Sequence, residues 1–161
     1  MRTPIALALL GSLFACDGGD DSMGMADDDD AAMPMDEPRG CATEARADTY
    51  VLGMAKQGER VQVAFVDALP APPERGDNTW RVAITQAGAP LSDVEVEVEP
   101  YMPDHMHGTS IEAHVTAADA PGEYVIEPVN MFMPGLWQVQ LYMTLPDGSD
   151  DQVQFDFCVD P

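Results

Sequence analysis

"VEVEVE", residues Val94 to Glu99, alternates valine with glutamate three times, and this alternation decides the fold class. Successive side chains of an extended strand point to opposite faces, so the three valines share one face and the glutamates share the other. A strand with one apolar and one charged face packs on a core and leaves its other side in water. The stretch therefore predicts a half-buried antiparallel strand.

Six further stretches show the same period of two. They are "RVQVAFV" (60–66), "WRVAI" (80–84), "IEAHV" (111–115), "YVIEPV" (124–129), "WQVQLYM" (137–143) and "VQFDFCV" (153–159). Turn-forming sequences such as "ERGDN" and "PDGSD" separate them, and no stretch shows a helical period of comparable length. Seven or so short strands in about 120 residues predict an all-β fold, an immunoglobulin-like antiparallel β-sandwich. We expect it to form a single domain over residues 41–161.

The first residues have the layout of an export signal, with Arg2 ahead of an apolar run and small Ala15 just before Cys16. The run is shorter than the roughly 20 apolar residues of a membrane-spanning helix. The ending "LFAC" resembles the lipobox of bacterial lipoproteins, which implies removal of residues 1–15 and acylation of Cys16. An ordinary secretory signal ending nearby is the alternative. The expected location is outside the cytoplasm, lipid-anchored to a bacterial membrane, in the periplasm or at the cell surface.

Residues 16–40 read as a disordered linker rich in aspartate and methionine. After Cys16 the segment carries nine acids and one base and almost no large aliphatic or aromatic side chain, so it lacks the apolar surface needed to fold. Thioethers are soft ligands suited to Cu(I), which makes the methionines candidate ligands. A soluble spacer of biased composition is the simpler interpretation. The methionines concerned are Met23, Met25, Met33 and Met35.

Charge and cysteine count narrow the function classes. The formal net charge is −22, and residues 41–161 alone hold twenty acids and five bases. Nucleic acid is therefore excluded as a partner, because binding it requires a basic face. Three cysteines are an odd number for an exported protein, but acylation of Cys16 would leave Cys41 and Cys158 to form a disulfide. Cys158 lies on the strand face opposite Phe155 and Phe157, so the bond should pin an edge strand or the N-terminal segment.

Three motifs give the domain a family resemblance. They are M-P-D-H-M-H-G (102–108), G-x-Y (Gly122, Tyr124) and M-P-G-x-W (133–137). With the surrounding strands, over about residues 50 to 159, they resemble the YtkA-like family, which is similar to FixH-type proteins. The resemblance implies an extracytoplasmic β-sandwich, often fused or adjacent to metal-handling and respiratory machinery. It supplies no shared biochemical activity.

Two methionine-rich stretches, "MPDHMHG" (102–108) and "MFMPGLW" (131–137), contain the candidate site. If the first is extended, His105 and His107 share one face. Imidazole suits copper in either oxidation state, and thioether selects Cu(I), so the pattern predicts a copper site. Alternatively, Pro103 and Gly108 mark a simple turn and the methionines are core residues. The predicted metal ligands are His105, His107, Met102, Met106, Met131 and Met133.

Catalysis is not expected. The sequence lacks a G-x-S-x-G elbow, an H-E-x-x-H helix, a phosphate-cradling glycine loop and a free thiol outside the predicted disulfide. His114 alternates with apolar residues and should face solvent. The sequence thus favours a membrane-anchored lipoprotein that binds copper, with a metal-receiving or other envelope protein as partner. A non-catalytic structural or interaction module without metal is the alternative.

Overall fold

A computed structural model describes residues 40–161 of the chain. The predicted signal peptide, the lipidation site Cys16 and the acidic linker lie outside the described residues. Within the described part, a 3-10 turn at Cys41–Thr43 precedes ten β-strands, and none of its helices is long and apolar enough to cross a membrane. The strands are β1 (Ala55–Gln57), β2 (Val61–Leu69), β3 (Gly76–Gln86), β4 (Ala89–Pro90), β5 (Glu95–Met102), β6 (His107–Gly108), β7 (His114–Ala117), β8 (Glu123–Met131), β9 (Gly135–Thr144) and β10 (Asp150–Val159).

The strands form two antiparallel sheets, which confirms the predicted β-sandwich. One sheet has the order β1-β2-β3-β8-β7, with β4 also pairing with β3, and the other has the order β10-β9-β5-β6. Seven strands have four or more residues, and they correspond to the seven alternating stretches of the sequence. The three additional strands, β1, β4 and β6, have only two or three residues, too few to show a period.

The core lies between the sheets and is organised around four aromatic side chains. Phe65 and Trp80 come from one sheet, and Phe155 and Phe157 come from the other. The Phe65 ring meets the Phe155 ring edge-on at 5.0 Å between centroids, and Trp80 meets Phe157 at 5.5 Å. Edge-to-face contacts at this separation are favourable beyond the area they bury. The four side chains are at most 3% exposed, so they pack the two sheets together in the buried core.

The stretch "IEAHV" departs from the prediction. Strand β7 begins only at His114, and Ile111 is 45% exposed, whereas Val115 is half-buried against the core. The Thr109 hydroxyl oxygen accepts the backbone N–H of Ile111 at 3.1 Å, and the hydroxyl donates to the Asn130 side chain at 2.9 Å. A hydroxyl that captures a nearby N–H competes with the strand ladder. The segment therefore forms a turn before pairing begins.

An N-terminal strap, residues 41–48, lies along the edge strand β10. Cys41 and Cys158 form a disulfide with 5.4 Å between their Cα atoms. The Asp48 N–H donates to the Asp156 carbonyl oxygen at 2.6 Å, and the Asp156 N–H donates back to the Asp48 carboxylate at 2.9 Å. The disulfide thus attaches the N-terminal segment to an edge strand, as the position of Cys158 in the sequence predicted.

Candidate metal centre

The histidine turn, residues 102–108, joins β5 to β6 at one end of the four-stranded sheet. Met102 and His107 are paired across the hairpin, so the expectation of an extended segment between them is wrong. The N–H groups of His105 and Met106 both point to the Met102 carbonyl oxygen, at 3.3 and 2.8 Å. Met106 has a φ of 55°. A Cβ at Gly108 would lie 2.8 Å from the Pro100 carbonyl oxygen, so only glycine fits where the hairpin closes.

The turn brings the two predicted histidine ligands together. The ring centroids of His105 and His107 lie 5.8 Å apart, with an angle of 51° between the ring planes. A metal–imidazole bond is about 2 Å long, so the separation of the two rings is short enough in distance for both to bind one ion. Nδ1 of His107 lies 3.0 Å from the Gly108 carbonyl oxygen. If Nδ1 carries the proton of that contact, Nε2 keeps its lone pair for a metal.

The second methionine-rich stretch lies against the histidine turn. The Phe132 ring stacks on His107 at 5.8 Å and meets Trp137 edge-on at 5.7 Å. Gly135 has a φ of +124°, and a Cβ there would lie 3.0 Å from the methyl carbon of Met102. The Trp137 indole N–H donates to the Met133 carbonyl oxygen at 2.9 Å. The glycine and tryptophan of M-P-G-x-W therefore shape the surface on which the histidine turn packs.

Phe132 is a member of the site that sequence reasoning missed. It is 46% exposed, between one buried and one half-buried methionine. Its position in "MFM" was the available signal, because alternation sends it to the face opposite the two methionines. The stacked ring covers one side of His107 with apolar surface.

The four predicted thioether ligands fall into distinct environments. Met102 and Met131 are completely buried in the core between the sheets. Met133 is half-buried and packs against that core. Met106 is 80% exposed in the histidine turn itself. Met106 is therefore the predicted thioether that faces solvent beside the two imidazoles, while Met102 and Met131 fill the core.

Asp104, also in the turn, is held by Arg46 from the N-terminal strap. Nη1 and Nη2 of Arg46 donate to the two carboxylate oxygens of Asp104 at 2.8 and 2.6 Å. On the other side, Nε and Nη2 donate to Glu44 at 2.8 and 2.6 Å. The side-chain hydrogen bond from Arg46 lowers the pKa of Glu44 to about 2. Both acids therefore share one guanidinium, a contact that no local sequence pattern could have revealed.

The available ligand set is small. Among residues 40–161, no three His, Cys, Asp or Glu side chains come together in an arrangement able to hold a metal. Methionine sulfur stands outside that set of ligand types. An ion at the histidine turn would therefore combine two imidazoles with a thioether, solvent or a group from another molecule. His114 is exposed on β7, as expected from its alternation.

Comparison with known proteins places the domain in a family. The YtkA-like family model matches residues 55–142, more than half of the chain. The chain belongs to the YtkA-like family. The match begins at strand β1 and ends within β9, so it includes the histidine turn and the M-P-G-x-W segment of this YtkA-like domain.

Two solved structures resemble the YtkA-like chain at low identity. A DUF4426 family protein from Pseudomonas aeruginosa PAO1 is 8% identical, with a TM-score of 0.50 over 67% of this chain and 97% of that one. A copper-bound variant of FetP from uropathogenic Escherichia coli strain F11 is 12% identical, with a TM-score of 0.47 over 67% and 95%. The first similarity concerns the fold alone. No curated protein matches the chain.

Proposed function

We propose that this YtkA-like protein binds one copper ion at the histidine turn, through His105 and His107. The observation that carries the proposal is the 5.8 Å separation of the two imidazoles on one short hairpin. The contact of His107 Nδ1 with the Gly108 carbonyl supports it, because an imidazole that binds a metal usually donates its other N–H to such an acceptor.

Copper fits these ligands better than zinc does. Structural zinc sites are usually closed by four nitrogen or sulfur ligands, most often cysteine and histidine. The turn offers two imidazoles and the exposed thioether of Met106, a soft ligand that selects Cu(I). Phe132, stacked on His107, adds an apolar surface on one side of the site. We therefore assign Met106 as the third ligand.

The proposed setting is the outside of a bacterial membrane, with a lipid on Cys16 and the acidic linker as a spacer. The function is binding rather than catalysis, in the handling or delivery of copper to an envelope partner. The lipobox-like "LFAC" and the disulfide between Cys41 and Cys158 support this setting, since disulfides persist in oxidising compartments.

A module without metal is the second candidate. Two observations favour it: Met102 and Met131 are buried core residues, and no group of three His, Cys, Asp or Glu ligands occurs among residues 40–161. In that case the histidine turn and Phe132 form a surface for protein contacts. Copper binding distinguishes the two functions directly.

The test is copper affinity, measured by chelator competition on the full exported chain. His105→Ala with His107→Ala should abolish Cu(II) binding and weaken Cu(I) binding. Met106→Leu should weaken Cu(I) alone, since thioether prefers the reduced ion and leucine has a similar volume. Because imidazole must be deprotonated to bind, affinity of the wild type should also fall as the solution becomes acidic.

Two control variants test whether copper binding is specific to the histidine turn. His114→Ala removes an exposed histidine from another strand and should leave the affinity unchanged. Leucine in place of the four linker methionines tests whether the linker supplies the binding. Equal affinities for wild type and the double histidine variant would reject the site and favour the module without metal.

A further inference from the structure

The six methionines of residues 40–161 differ sharply in exposure. Three are at most 2% exposed and two are half-buried, whereas Met106 is 80% exposed. The buried ones are Met102, Met131 and Met143, and the half-buried ones are Met54 and Met133. Among the methionines that the structure describes, the thioether of Met106 is therefore the one most accessible to an oxidant dissolved in water.

We propose that Met106 is an oxidation site, at which peroxide converts the thioether to a sulfoxide and thereby releases Cu(I) from the histidine turn. The effect on copper rests on the proposed function, in which Met106 is the third ligand. In the reaction the sulfur lone pair attacks one oxygen of hydrogen peroxide, so an S–O bond forms and the O–O bond breaks. The sulfur is oxidised by two electrons. The departing hydroxide takes up the proton of the transferred oxygen and leaves as water.

Oxidation changes the ligand type at this one position. Thioether sulfur is a soft ligand that suits Cu(I), whereas a sulfoxide offers a hard oxygen in its place. The conversion leaves the imidazoles of His105 and His107 unchanged, and imidazole binds copper in either oxidation state. The oxidised protein should therefore keep its affinity for Cu(II) and lose affinity for Cu(I).

The fold tolerates a sulfoxide at Met106 but not in the core. At Met102 or Met131 the modification would bury a polar group among apolar side chains, which is unfavourable without a hydrogen-bond partner. At Met106 the added oxygen stays in water. The hydrogen bond from the Met106 N–H to the Met102 carbonyl oxygen belongs to the backbone and does not depend on the side chain. Because reductases return both sulfoxide epimers to methionine, the change at Met106 is reversible.

The experiment treats the metal-free, full exported chain with hydrogen peroxide, in the variant that has leucine at the four linker methionines. Peptide mass spectrometry should find the added oxygen at Met106 ahead of the other five methionines of residues 40–161. Cu(I) affinity, measured by chelator competition, should then fall by about tenfold, while Cu(II) affinity and the melting temperature stay unchanged. Treatment with methionine sulfoxide reductases for both epimers should restore the Cu(I) affinity.

Two further variants test whether the loss of Cu(I) affinity arises at Met106. Met106→Leu should show no change in Cu(I) affinity on peroxide treatment, whereas Met54→Leu, at a half-buried position, should respond as the parent does. Oxidation of Met54 or Met133 ahead of Met106 would overturn the oxidation site. A loss of Cu(I) affinity that persists in Met106→Leu, or that the reductases do not reverse, would overturn the inference, because another residue would then be the one damaged.

The outcomes distinguish this inference from the proposed function. Oxidation at Met106 with unchanged Cu(I) affinity overturns the release of Cu(I) and leaves copper binding by the two imidazoles in place. Failure of the untreated protein to bind copper overturns the proposed function and the release of Cu(I) with it. In that case the mass spectrum alone accepts or rejects Met106 as the oxidation site.

Discussion

Asp151 joins the two sheets, and its replacement by asparagine should destabilise the domain strongly. Its carboxylate, in a residue only 8% exposed, accepts the N–H groups of Glu59 at 2.9 Å, Arg60 at 2.7 Å and Val61 at 2.8 Å, all at the β1–β2 turn. It also accepts the N–H of Gln152 at 2.8 Å. Asp151 lies on β10, so these bonds connect opposite layers of the sandwich.

The size of the stability loss depends on which carboxylate oxygen accepts each N–H group. Oδ1 accepts from Glu59 and Gln152, and Oδ2 accepts from Arg60 and Val61. Asparagine keeps one acceptor oxygen and places an NH₂ group, itself a donor, against the other two N–H groups. Two donors left without acceptors at about 1 to 2 kcal/mol each give a loss of about 3 kcal/mol. For a domain of this size the melting temperature should fall by about 10 to 15 °C.

The assay is urea and thermal unfolding of Asp151→Asn beside Asp150→Asn. The control removes the same charge one residue away, where the exposed carboxylate accepts the Thr144 hydroxyl at 3.1 Å. It should change stability by less than about 0.5 kcal/mol. An equal loss in both variants, or no loss in Asp151→Asn, would refute the role given to the buried carboxylate.

The pH dependence of the same variant gives a second check. Burial by itself raises the pKa of Asp151, but the hydrogen bonds from Arg60, Glu59, Val61 and Gln152 outweigh it, and the net shift is downward from 3.8. A carboxyl whose pKa is lower in the folded state adds stability above its unfolded pKa and loses it as the pH falls through the folded value. The stability difference between wild type and Asp151→Asn should therefore be full at neutral pH and shrink below about pH 3.8.

The disulfide and the lipid anchor give the remaining predictions. Cys41→Ser with Cys158→Ser opens a loop of 117 residues and should cost up to about 4.7 kcal/mol of unfolding free energy, measured by urea titration against the oxidised wild type. Unchanged stability would mean that the strap contacts suffice without the bond. The mature chain should begin at acylated Cys16, and mass spectrometry of the native N-terminal peptide should find the lipid mass there. An unmodified thiol, or a start at another residue, would reject the lipoprotein assignment.

The strands were predictable because alternation records burial directly. Val61, Val63 and Phe65 occupy one face of β2 as the period requires, and Trp80, Val82 and Ile84 do the same in β3. The same alternation also predicts the burial of Met102, which the sequence analysis treated as a metal ligand. Met102 follows buried Val98 and Pro100 at spacing two, so its burial could have been predicted from the same rule.

The contact that shapes the candidate site was not predictable from local sequence. Arg46 and Asp104 are separated by 58 residues, and neither lies in an alternating stretch that fixes its partner. The strap runs alongside β10, and the end of β10 lies beside the start of β9, where Val159 pairs with Gly135. This arrangement brings the strap close to the turn. Gly135 in turn approaches Met102 at the base of the histidine turn. The contact between Arg46 and Asp104 therefore results from the order of the strands in the sheet.

An exposed ion pair such as that of Arg46 and Asp104 ordinarily contributes little, because fixing two long side chains offsets the attraction between them. For this pair the cost of fixing the side chains is smaller, because the backbone segments that carry Arg46 and Asp104 are both already constrained. Asp104 lies in a turn whose two backbone N–H groups share the Met102 carbonyl, and Arg46 lies in a strap closed by a disulfide. Glu44 also accepts hydrogen bonds from Nε and Nη2 of the same guanidinium, which restricts its rotation. The same covalent bond therefore attaches the strap to the edge strand and fixes the segment from which Arg46 reaches the histidine turn.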